Sequence, residues 1–154
     1  MTKLLRAFAI LLFAALAIPL ACQAAPRERP DPTPAELEFE HTKLIYDGYV
    51  GQRDEQKANM LELTIGRLER TVKLHKDSGV RNLSFEQDMR DFGESLLAVR
   101  HMMRARDASR AGKESVVRQE LTQACRHADQ TTYLDPRLQK TCSDFRKNGS
   151  IHMT

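Results

Sequence analysis

The chain has 154 residues, 24 basic against 21 acidic, no tryptophan, three cysteines and few aromatic side chains. Its first 25 residues carry Lys3 and Arg6, an uncharged apolar run from Ala7 to Leu20, and the small-residue exit Ala21-Cys22-Gln23-Ala24-Ala25. That is the layout of a cleaved secretory signal, too short for a membrane span. Without it the balance is 22 against 21, a net of +1, so the pI near 8.9 gives no reason to expect a nucleic-acid partner.

Residues 1–24 therefore read as a signal peptide cut after Ala24, and the mature protein as periplasmic or secreted. Leu20-Ala21-Cys22 admits lipid anchoring at Cys22 as the alternative, although Pro19 stands where an aliphatic residue is normally wanted. Residues 25–34 follow as a spacer, with four prolines in nine positions from Pro26 to Pro34. Residues 35–148 are expected to form one all-α domain, a small bundle of four to five helices, and residues 149–154 a tail.

Thr33-Pro34-Ala35-Glu36 opens the first helix as a capping box. Leu37, His41, Leu44, Ile45 and Gly48 share one of its faces, and Asp47-Gly48 and Gly51 leave its end without a single stop signal. Ala58, Leu61, Ile65, Leu68, Val72 and His75 alternate in steps of three and four, widened by Leu63 and Leu74. This predicts an amphipathic second helix stopped by Gly79. Ser84-Phe85-Glu86-Gln87 predicts a third, capped by Ser84, with Phe85, Met89, Phe92, Leu96, Val99 and Met103 inward and Gly112 at its end. A fourth carries Val117, Leu121, Ala124 and Ala128. Asp135-Pro136 caps a fifth, with Leu138, Cys142 and Phe145 inward and Asn148-Gly149 as its stop.

Once the signal is removed, Cys125 and Cys142 are an even pair. In an oxidising compartment they read as one disulfide stapling the last two helices, worth about 3 kcal/mol for a loop of this length.

Chemistry has few anchors. His41 and His75 lie on apolar stripes, and Met60, Met89, Met102 and Met103 could add soft ligands, so a haem- or metal-binding bundle is the first alternative. Cys-x-x-Cys-His and Glu-x-x-His are both missing, and methionine at core spacing is ordinarily packing. Neither cofactor nor metal is expected.

Ala124-Cys125-Arg126-His127-Ala128-Asp129, with Tyr133 nearby, resembles the active-site helix of secreted phospholipases A2. The resemblance implies a lipid hydrolase with His127 as the base that activates water. It spans about ten residues and departs where Ala128 separates His127 from Asp129, since one residue turns a side chain about 100° around a helix. No glycine-rich calcium loop accompanies it. Other catalytic patterns are missing too, and the chain is expected not to be an enzyme.

Charge is divided along the chain. Residues 25–97 hold 11 basic and 15 acidic side chains, and residues 98–154 hold 11 and 6. Arg100, Arg104, Arg106 and Arg110 crowd one helix end. They read either as a solvated face or as a contact for an acidic partner, because the guanidinium fork grips carboxylates. Together these features suggest an exported, non-enzymatic protein-binding module, such as a toxin-neutralising or envelope accessory protein. Its partner would be another exported protein, and it would meet a membrane only through a lipidated Cys22.

Overall fold

In the computed structural model, residues 31–49, 54–133 and 135–149 are described. The signal segment, Cys22, most of the proline-rich spacer and the tail beyond Gly149 lie outside them. The helices are α1 (Pro34–Tyr49), α2 (Asp54–Ser78), α3 (Leu83–Arg110), α4 (Glu114–Ala128) and α5 (Pro136–Asn148), with no strand among the described residues. None is long and apolar enough to cross a membrane. Helices consecutive in the chain pack against one another, α1 on α2 and α3 on α4 most extensively.

The helix ends follow from local chemistry. Thr33 and Glu36 form the expected capping box. The Thr33 amide donates to Glu36 Oε2 at 2.7 Å, and the Glu36 amide donates to Thr33 Oγ1 at 3.2 Å. Asp135 Oδ1 accepts from the Arg137 amide at 2.8 Å, ahead of a helix that begins with Pro136. Gly79, Gly112 and Gly149 take φ of +64°, +67° and +67°, the left-handed turn that β-carbons resist. At Gly112 the closure is complete, with the Gly112 amide donating to Ser109 and the Lys113 amide to Ala108.

The cap of α3 differs from the expectation. Asn82, not Ser84, accepts from the Phe85 amide, at 3.1 Å, and the helix starts at Leu83. Ser84 is exposed in the first turn, and Gln87 instead donates to Asp91 on the helix surface at 2.9 Å. Two cap-competent residues, Asn82 and Ser84, stood two positions apart. The earlier one prevails because it also reaches Glu36 of α1.

The inner face of α1 is a second correction. Leu37, His41, Leu44 and Gly48 are exposed, and only Ile45 of the expected face is half-buried. The buried face is Ala35, Phe39 and Thr42, continued by half-buried Tyr46. Aromatic rings decide it. Phe39 meets Phe85 and Phe92 edge to face at 5.4 and 5.7 Å, and Tyr46 meets Phe92 at 5.4 Å. Such rings bury more area than leucine and add a favourable edge-to-face term.

Most expected core positions are buried: Leu61, Leu68, Phe85, Met89, Phe92, Leu96 and Leu121. Ile65, Val72 and Val99 are half-buried against them, Leu63 is exposed, and Ala58 is exposed at the helix start. In place of Ile65 and Val72 the α2 seam uses Thr64 and Thr71, both fully buried, as is Thr42 of α1. Each hydroxyl donates to the carbonyl four residues back, at 2.7 Å from Thr42 and Thr64 and 3.0 Å from Thr71. A threonine can satisfy its own helix and still present a methyl group to a neighbour. Small side chains at the seam keep the helices close. Gly93 of α3 serves the same end, since a β-carbon there would sit 3.2 Å from Leu68 Cδ2.

The inward stripe of α3 rotates along its length. Its first half points Phe85, Met89, Phe92 and Leu96 at α1 and α2. Its second half buries Ala98, Ala105 and Ala108, while Val99 and Met103 become half-buried. Ala98 packs in one cluster with Cys125 and Ala128 of α4, where Ala124 is also buried. Cys125 and Cys142 form the expected disulfide, with Cα atoms 5.4 Å apart and Leu138 packed beside them.

Two outcomes test this arrangement. Phe39→Ala should cost about 3–5 kcal/mol, whereas Leu44→Ala on the same helix should change stability by less than about 0.5 kcal/mol. Paired urea denaturation curves measure both. The Thr33 amide, then its hydroxyl, hold the Glu36 carboxyl below its usual range, assisted by His75 and Asn82 and opposed by desolvation. A depressed carboxyl stabilises the fold above its unfolded titration, about pH 4.3, and loses that contribution as the pH falls through the lowered folded value. Glu36→Gln should therefore flatten the acid limb of stability against pH and leave the region above pH 7 parallel to wild type.

Candidate functional site

Glu94 and His101 stand seven residues apart on α3, and Glu120 and His127 stand seven apart on α4. Seven residues are nearly two full turns, so each pair shares a helix face. The two helices are joined by a tight turn at Gly112, which aligns these faces in opposite directions. The pairs then cross. His101 Nδ1 donates to Glu120 Oε2 at 2.6 Å, and His127 Nδ1 donates to Glu94 Oε2 at 2.6 Å. The imidazoles stack between them, centroids 5.4 Å apart and planes 7° from parallel.

This is a locally two-fold arrangement built from one repeated spacing. All four side chains are about one-fifth exposed, so the cluster is partly desolvated yet open to water. Each carboxylate orients a ring through Nδ1, the arrangement that places a histidine Nε2 for proton exchange or for a ligand. Among the described residues, the hydrogen bonds of these four side chains join only the two histidines to the two glutamates. Among the described residues no group of three or more His, Cys, Asp or Glu is placed to hold a metal. The sequence reading missed His101, Glu94 and Glu120. The available signal was Glu-x6-His occurring twice, on consecutive helices.

His127 has a different partner from the one its neighbourhood suggested. Its carboxylate comes from α3, whereas Asp129 pairs with Arg146 of α5 at 2.6 Å. Tyr133 packs its ring on Phe92 at 6.0 Å. The arrangement implied by the phospholipase-like segment is therefore not assembled around His127.

The other candidates separate. His41 is exposed on the outer side of α1. His75 is buried at the end of α2, edge-on to Phe85 at 5.2 Å, with Nε2 3.1 Å from Glu86 Oε1. Of the methionines, Met89 lines the same cavity as His75, while Met102 packs near the disulfide. The arginines divide as well. Arg100 Nε lies 2.8 Å from Glu62 of α2, tying the basic half to the acidic half. Arg106 is half-buried, Arg104 is exposed, and Arg110 is exposed 3.9 Å from Asp107. Arg104 and Arg110 are six positions apart, which puts them on different sides of α3.

Comparison of the chain with family models, curated proteins and solved structures finds no match. The site stands on its own geometry.

Removing either partner of a crossed pair should leave a partly desolvated group unsatisfied. A double-mutant cycle of Glu94→Ala and His127→Ala should return a coupling of about 0.5–1.5 kcal/mol at neutral pH, smaller in high salt. Additive single-mutant costs, measured by denaturation, would show that the pair contributes nothing beyond its packing.

Proposed function

We propose that this chain is an exported, non-enzymatic module that works by occupying the surface of another exported protein. The observation that carries this reading is the outer face of α1. Leu37 and Leu44 are 53% and 65% exposed, seven residues apart, with exposed His41 between them. The opposite face of the same helix is already filled by Phe39 and Tyr46. The sequence thus supplies α1 with two apolar faces, and the bundle uses one.

Exposed Glu40 and Asp47 lie beside the two leucines. The matching partner presents an apolar ridge with basic flanks. Each leucine buried there would contribute roughly 1.5–3 kcal/mol before ordering costs. Export is supported by the charged start and apolar run of the N-terminus and by the Cys125–Cys142 disulfide, which suits an oxidising compartment. Neutralising a toxin or assisting an envelope assembly are roles such a module could fill.

A second reading uses the arginine-rich end of α3. Only Arg104 and Arg110 of that group are exposed, so the contact would rest on those two and on less of Arg100 and Arg106. The haem or metal reading keeps one observation, His75 and Met89 on a single cavity. The His75 nitrogen that would ligate is, however, bonded to Glu86. A Soret band in protein purified from its native compartment would revive that reading.

Affinity capture from the exported fraction of the native host compares the two surfaces. Tagged wild type and Arg104→Gln/Arg110→Gln should retain the same protein, and Leu37→Glu/Leu44→Glu should lose it. Loss with the arginine variant alone would move the contact to α3. Identical capture by all three would overturn the reading.

A further inference from the structure

A cavity of about 500 Å³ opens where the end of α2 meets the start of α3. It is independent of the outer face of α1. Its size falls within the range of small-molecule sites. Val72, Met89 and Val80 give it an apolar wall. Met89 is 5% exposed, whereas Val80 stands 51% exposed on the connecting turn.

Three cations surround that wall: Lys76, Arg81 and Arg90. All three are exposed, and none of their side chains has an ion-pair or hydrogen-bond partner among the described residues. The lining contains one carboxylate, Glu86, and it is engaged by His75 at 3.1 Å. The acidic half of the chain therefore contains a local inversion of charge, a cationic rim beside an apolar wall that runs from buried Met89 through half-buried Val72 to exposed Val80. Arg67 of α2 and Arg100 of α3, by contrast, each lie within 4 Å of a carboxylate, Glu38 and Glu62. The three rim cations do not.

The geometry points to a binding site for a small anionic amphiphile, a medium-chain carboxylate being the simplest member of the class. Its alkyl body would lie along Val72 and Met89 and its carboxylate would face Arg81, Arg90 and Lys76. Burying the chain supplies the apolar term, and the rim supplies a charge preference that weakens with salt. Guanidinium groups suit this task, because they pair with carboxylates in a planar fork while their stems cover apolar surface.

The test is isothermal titration of the mature, disulfide-intact protein with sodium decanoate below its micelle concentration. Decanol, decyltrimethylammonium and acetate serve as comparators. One equivalent of decanoate should bind, at least tenfold tighter than any comparator. Arg81→Glu/Arg90→Glu should weaken it at least tenfold with an unchanged circular dichroism spectrum. Val80→Asp, at an exposed position, should also weaken it by setting a like charge beside the ligand. Three outcomes overturn the site: no decanoate binding; equal binding of decanol or acetate, which would leave only grease or only charge; or equal binding by both variants.

Discussion

The ring of Phe92 is the point at which most of this bundle is tied together. It receives Phe39 and Tyr46 from α1 and Tyr133 from the segment after α4, all edge to face. Phe39 continues the contact to Phe85, and Phe85 to His75 at the end of α2. Four segments thus meet through one connected set of rings. Rings at this spacing prefer crossed planes, which restricts the rotation of each helix about its own axis as well as its distance from its neighbours. Once Phe39 and Tyr46 are placed, α1 cannot also turn Leu37 and Leu44 inward. The exposed face proposed to meet a partner is a consequence of that choice.

The rest of the bundle is joined by different means. The second half of α3 and α4 bury mainly alanines beside Leu121, and alanines let backbones come close but bury little area per residue. The crossed Glu–His pairs join the same two helices, and the disulfide fastens α5 beyond them. The division of charge along the chain is partly resolved inside the fold. Arg100 meets Glu62 between the two halves, while Arg104 and Arg110 stay in water. Of the four arginines at that helix end, Arg100 joins α3 to α2, Arg106 is half-buried, and Arg104 and Arg110 are exposed, Arg110 beside Asp107.

Much of this architecture was legible in the sequence because its signals were local. The Thr33–Glu36 box, the Asp135-Pro136 start and the three glycine stops each act within a few residues, and each appears as read. The disulfide followed from two cysteines and the hairpin between them. The failures arose where packing decides among equals. On α1 two apolar faces competed, and counting leucines could not show that the rings of α3 awaited Phe39. On α2 the seam passes through Thr64 and Thr71, which read as polar until their hydroxyls are seen bonded to their own helix. Asn82 outcompeted Ser84 through a contact with Glu36, 46 residues away in sequence. His101 and Glu120 escaped notice because each, taken singly, is an ordinary surface residue. Only the repeated seven-residue spacing on two adjoining helices carried the information, and its meaning needed the antiparallel register.

α1 is a fully integrated helix whose outer face no described residue covers, rather than a segment awaiting a partner before it can fold. Native-state hydrogen exchange of the isolated, disulfide-intact protein tests it most directly. The amides on the Phe39 side of α1 should exchange only through global unfolding, with the same opening free energy as those around Phe92 and Leu96 in α3. Exchange of α1 through a separate, much lower-energy opening, while α3 remains protected, would contradict the account.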